Sequence, residues 1–180
     1  MSILNRFFRD KKGGANAIIG VVILFLSMLF IMLLIEIGRL YVIAESFKND
    51  LDFANASVWA VVDQERLAYR EIQFHKSSET EADGVVRAQN KFSEYLCENM
   101  NLSPSFQPNN PDGVIAGPVT LERFEVYLQP YLPLTNSEGI YIDKVSVYSK
   151  ITVPVKLLFK MFGDTYNLPI IRVTNLEDAF

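Results

Sequence analysis

The chain has 180 residues, 17 of them basic and 21 acidic, for a net charge of −4, and 49% are hydrophobic. That length suffices for one modest domain with its own core. Cys97 is the only cysteine and His75 the only histidine, so no intrachain disulfide can form and no CxxC or HExxH spacing offers a transition-metal site.

The first segment, residues 1–14, is basic: Arg6, Arg9, Lys11 and Lys12 face only Asp10. An uncharged run follows, Ala17 to Ile35, reading AIIGVVILFLSMLFIMLLI. About 20 such residues cross a hydrocarbon core of roughly 30 Å, and residues 15–38 are expected to form a transmembrane helix. A soluble core helix of this length would show a polar stripe at helical period, and none is present. A cleaved signal peptide would have an apolar region of only about 7–15 residues and a small-x-small cleavage site. Here the run is longer, and Glu36-Ile37-Gly38-Arg39-Leu40-Tyr41 follows it. The segment is therefore read as an uncleaved signal anchor. Lys and Arg remain on the cytoplasmic side, which places the N-terminus inside and residues 39–180 outside.

Beyond Arg39 the sign of the charge reverses. Setting aside Arg6, Arg9, Lys11, Lys12 and Arg39 leaves 12 basic residues, and setting aside Asp10 and Glu36 leaves 19 acidic ones, for about −7. Such a surface disfavours nucleic acid as a partner. An exported domain without disulfides fits a bacterial envelope.

Leu40, Ile43, Phe47, Leu51, Ala54, Val58 and Val61 recur at steps of three and four, an apolar stripe at helical period. No Gly or Pro intervenes between Arg39 and Tyr69. One long helix from Ala15 to about Tyr69 is expected, with a break at Gly38 as the alternative. Residues 71–83 read as an exposed polar loop. A second helix begins with Asp83 as its cap and shows Val85, Ala88, Phe92, Tyr95 and Leu96 on one face. Cys97 falls near that face and reads as a buried, inert thiol. From Asn101 to Gly117, Pro, Asn and Gly mark a connector. The period then changes to two. Strands are expected at Val119–Leu128, Ile140–Val153 and Tyr166–Val173, with Pro154 ending the second strand or placing it at an edge, and Val155–Phe162 ambiguous. The fold class is α+β: a long N-terminal helix, transmembrane and continuing into the exported domain, a second helix, then a small antiparallel β-sheet.

Two stretches carry a resemblance to a known family. They are Arg6-Phe7-Phe8-Arg9-Asp10-Lys11-Lys12-Gly13-Gly14-Ala15 before the apolar run and Ile35-Glu36-Ile37-Gly38-Arg39-Leu40-Tyr41 after it. Together with the helix bearing Ala54, Ala56 and Ala60, this first third of the chain resembles the TadE-like minor pilins or pseudopilins of tight-adherence pilus systems. The resemblance implies an assembly subunit whose partners are membrane lipid, other pilus or secretion subunits and a prepilin-type peptidase. It implies a cut between Gly14 and Ala15. The Glu that such prepilins commonly carry five residues into the mature chain is Ile19 here, so both a processed and an unprocessed subunit stand open.

Glu36, Arg39 and Tyr41 are the candidate assembly contacts. Glu36 can meet a partner subunit or pair with Arg39 at i+3, and Tyr41 has the character of an interfacial aromatic anchor. No nucleophile motif, phosphate loop or cofactor pattern points to an enzyme. Two other functions compete: a signal-anchored binding module independent of any filament, and an accessory protein of a conjugation-type membrane complex.

Overall fold

The computed structural model describes residues 11–69, 71–76, 78–129 and 131–176, with side chains from residue 14 onward. Arg6, Arg9 and Asp10 lie outside the described residues, as does most of segment 1–14. The chain divides into two compact units between Val42 and Ile43, and each is considered by itself.

Helix α1 spans Lys11–Ser57. It passes through Gly38 without interruption, because an isolated Gly costs a helix only about 1 kcal/mol relative to Ala. The expected end near Tyr69 is wrong. After Ser57 the backbone tightens into a 3-10 turn at Val58–Val61 and restarts as the short α2, Gln64–Leu67. Two local features end α1. Val58, Val61 and Val62 are β-branched and stiff in a helix, and the Asp63 side chain accepts from the Glu65 N–H at 3.0 Å, capping a new turn.

In the second unit, Phe47, Leu51, Ala54 and Val58 are buried, as the stripe predicts, with Val62 replacing Val61 in the core. Helix α3, Glu81–Asn99, starts from Thr80 rather than Asp83. Thr80 and Asp83 form a reciprocal capping box: Asp83 N–H donates to Thr80 Oγ1 at 3.3 Å and Thr80 N–H to Asp83 Oδ2 at 3.1 Å. Its inner face is Gly84, Ala88, Phe92, Leu96 and Cys97. Tyr95 is instead exposed, with Lys91 Nζ 4.8 Å from its ring centroid. Gly84 belongs to the core because Phe74 crosses it: a Cβ there would lie 2.7 Å from the Phe74 carbonyl carbon. Phe74 is itself buried within the stretch expected to be an exposed loop.

The main sheet has three antiparallel strands in the order β1–β4–β5, with β1 at Thr120–Tyr127, β4 at Ser146–Lys156 and β5 at Thr165–Asn175. Between β1 and β4 a small hairpin pairs β2, Leu134–Thr135, with β3, Tyr141–Ile142. The single strand expected over 140–153 is therefore two elements, and β4 continues beyond Pro154 to Lys156.

Pro154 occupies the central strand, not an edge. Ala116 N–H donates to the Pro154 carbonyl at 2.7 Å and Lys156 N–H to the Val114 carbonyl at 2.9 Å. In an antiparallel strand a residue's nitrogen and carbonyl point to the same side, so the Pro154 nitrogen faces the irregular 114–118 segment. Strand β1 starts only at Thr120, and the missing N–H breaks no bond of the β1 ladder.

One sheet face packs on the helices. Val147, Ile151, Val153 and Val155 alternate into the core, and the Phe92 and Phe124 rings meet at 4.9 Å between centroids. At the side of α1, Thr174 Oγ1 donates to Asp52 Oδ1 at 2.8 Å, Arg172 Nε donates to Asp52 Oδ2 at 2.6 Å, and Asn55 Nδ2 donates to Thr174 Oγ1 at 3.0 Å. The second face is also partly covered. Ser146 and Tyr148, on the face opposite Val147 and Ile151, are buried as well, because the β2–β3 hairpin lies over that end. Glu138 on its turn accepts from Lys150 Nζ at 3.2 Å and lies 3.9 Å from Arg123. Burial and the hydrogen bond to Glu125 push the Tyr127 phenol up to about 12.

Candidate functional site

The site begins with α1 and its composition. From Ile18 to Ile37 most of the large apolar side chains are exposed, among them Val21, Leu24, Phe25, Phe30 and Leu34, while Leu29 and Met32, on the face of Glu36, are half-buried. The α1 helix is long and apolar enough to cross a membrane, and none of its most apolar window is buried against the rest of the protein. The one hydroxyl between Ile18 and Ile37 is satisfied internally: Ser27 Oγ donates to the Ile23 carbonyl at 2.8 Å, the i−4 bond that lets Ser reside in a low-dielectric helix. No atom outside the neighbouring backbone approaches within 4 Å of a Cβ built at Gly20 or Gly38.

Charge returns where the run ends. Glu36 is 3% exposed, and its Oε1 lies 2.9 Å from Arg39 Nη1. Helical spacing of i, i+3 brings the two together on one face. In low dielectric, an ion pair costs far less than either charge alone. Tyr41, one turn on from Gly38, is 67% exposed. The structure thus joins Glu36 to Arg39 and leaves Tyr41 on the surface. Gly14 and Ala15 both lie in the first turns of α1, so the bond between them has helical geometry.

A cleft of about 690 Å³ is lined by Asp63, Gln64, Glu65, Lys76, Ser78 and Arg87 among others. Arg87 is already committed: its guanidinium meets the Glu79 carboxylate at 2.7 and 2.8 Å and donates to the Phe74 carbonyl. Among the described residues, no three His, Cys, Asp or Glu side chains converge to hold a metal ion. Cys97 is buried, donates to the Ser103 carbonyl at 3.2 Å, and has its pKa pushed up by burial. That environment suits a packing thiol and opposes thiolate chemistry.

One feature of the second unit escaped the sequence reading. The turn joining β4 to β5 exposes Leu158, Met161 and Phe162 around a 3-10 turn at Lys160–Phe162. The signal was present as Leu157-Leu158-Phe159-Lys160-Met161-Phe162, but an apolar run gives no indication of which side chains a turn will leave outside.

No family model matches this chain, and neither does any curated protein or solved structure.

Proposed function

We propose that this chain is a membrane-anchored structural subunit of an envelope-spanning pilus or secretion apparatus, as its resemblance to TadE-like minor pilins implies. In this reading residues 1–14 are cytoplasmic, 15–38 span the membrane and 39–180 are exported. The observation that carries it is the exposed apolar surface of α1, closed at its far end by the Glu36–Arg39 pair. A long helix with most of its apolar side chains exposed is stabilised by lipid, by other helices, or by both. Its positively charged start favours a cytoplasmic N-terminus. Glu36, Arg39 and Tyr41 then stand at the outer membrane boundary, where a neighbouring subunit can reach them. The unpacked backbone at Gly20 and Gly38 would allow such a helix to approach closely.

Extraction and mild-detergent purification test this reading. The full chain should resist alkaline carbonate and co-purify with other membrane subunits in fixed ratio. Intact mass would show whether it begins at Met1, Ser2 or Ala15. Release by carbonate would refute the anchor. A solitary, partnerless monomer would refute the assembly role and favour a free-standing binding module.

A further inference from the structure

We infer that Pro169 guards the open edge of the sheet, keeping β5 from accepting the β5 strand of a second copy of this chain. The inference concerns the second unit alone and does not depend on the membrane reading.

β5 is the last strand in the order β1–β4–β5, and among the described residues no strand pairs with its other side. Such an edge offers a row of main-chain donors and acceptors to any strand laid beside it. It is long, at 11 residues, and from Thr165 to Ile171 it carries no charged side chain. Over that stretch Thr165, Tyr166, Asn167, Pro169 and Ile171 are exposed, while Leu168 is half-buried and Ile170 buried. Uncharged Tyr, Leu and Ile in an exposed strand make the composition from which intermolecular sheets grow, provided no proline interrupts them. Pro169 is that interruption.

The register fixes which way each main-chain group of β5 points. Pro154 and Lys156 of β4 bond the 114–118 segment, so Val153 and Val155 face β5 together with their partners Leu168 and Tyr166. Bonds just beyond the two ends of the ladder obey the same alternation. Leu157 N–H donates to the Asp164 carbonyl at 3.0 Å, and Leu176 N–H to the Val145 carbonyl at 2.8 Å. Tyr166, Leu168 and Ile170 therefore direct their main-chain groups inward to β4, and Thr165, Asn167, Pro169 and Ile171 direct theirs outward. At this position a proline costs the ladder nothing. Its ring and its missing N–H lie on the outer edge, where the carbonyl of an added strand would approach.

Two-fold antiparallel pairing with a second copy, spanning the uncharged stretch, sets Thr165 opposite Ile171 and Asn167 opposite Pro169. Symmetry repeats each pair. The two prolines thus remove two central hydrogen bonds, and each places its ring against an Asn167 carbonyl. Any register that keeps Pro169 within the overlap incurs the same loss.

The full-length native chain, Pro169→Val, and Pro169→Val combined with Asn167→Pro would be compared in one detergent. Sedimentation velocity reads the mass, and amide exchange is resolved at Asn167, Leu168, Ile170 and Ile171. Any association through α1 is common to all three proteins and drops out of the comparison. In the native chain the inward amides of Leu168 and Ile170 should exchange about a hundredfold or more slowly relative to the outward amides of Asn167 and Ile171. Pro169→Val should raise the mass about twofold as concentration rises and slow the Ile171 and Asn167 amides about tenfold or more. Adding Asn167→Pro returns a ring to the outer edge without touching the ladder, and should restore the native mass. Protection of Asn167 and Ile171 in the native chain would overturn the inference, because the edge would then be occupied already. Unchanged mass and exchange in Pro169→Val would overturn it too, as would association that survives Asn167→Pro. Loss of folding in Pro169→Val would place the role of the proline in the fold of β5 itself, and overturns the guarding role as well.

Discussion

At the scale of single residues, packing at Gly84 and capping at Thr80 decide whether α3 can seat. The backbone of Phe74 passes so close to Gly84 that a methyl group has no room. Backbone cannot rotate aside as a side chain does. Gly84→Ala should therefore destabilise the second unit by about 1–3 kcal/mol, the usual cost of overpacking a tight contact, read as a lowered unfolding midpoint of the full chain in detergent. Thr80→Ala removes one half of the capping box and should cost about 1 kcal/mol. The two losses have different signatures, since only the cap depends on pH. Hydrogen bonds from the Thr80 hydroxyl and backbone hold Asp83 below its ordinary range. Bonds from the Lys76 backbone and the Arg87 guanidinium do the same to Glu79. Carboxylates with lowered folded pKa values contribute stability above their unfolded pKa and lose it as pH falls through the folded value. Amide exchange in the first turn of α3 should therefore accelerate below about pH 4, and Thr80→Ala should flatten the Asp83 part of that dependence.

At the scale of elements, the sequence made some features plain and concealed others for identifiable reasons. The apolar run of α1 and the Phe47–Leu51–Ala54–Val58 stripe were legible because periodicity depends on residue type alone. The end of α1 was not, because it turns on Asp63 capturing a neighbouring N–H and on three stiff valines, a competition between local alternatives. Pro154 argued against a central strand. It is tolerated because the flanking segment at that level is not β1, a fact of tertiary pairing. Alternation assigns Tyr148 to the second face, and its burial there depends on the β2–β3 hairpin, which the period of two does not reveal. Of the candidate site, the i, i+3 spacing of Glu36 and Arg39 could be read directly. The exposure of Leu158, Met161 and Phe162 could not, since an apolar run at a turn reads equally well as core. The Asp52–Arg172 link between α1 and β5 was likewise hidden by a separation of 120 residues.

At the scale of the whole molecule, the two units divide the work. The first offers a helix whose described apolar side chains are mostly exposed; the second is a conventional helix-on-sheet domain with several polar links between its elements. Asp52, Arg172, Thr174 and Asn55 tie α1 to β5, while Lys150, Glu138, Glu122 and Arg123 tie the second sheet face to its hairpin. Under the proposed reading, the Glu36–Arg39 pair at the end of the apolar run is the polar feature best situated to choose a partner. The most direct measurement is photo-crosslinking in native membranes from a reactive residue at Leu33 or Ile37, with and without Glu36→Gln. An anchored assembly subunit should yield discrete adducts with other membrane polypeptides, lost or much reduced in Glu36→Gln while the unfolding midpoint of the second unit is unchanged. Adducts to lipid alone in both proteins would contradict the assembly claim.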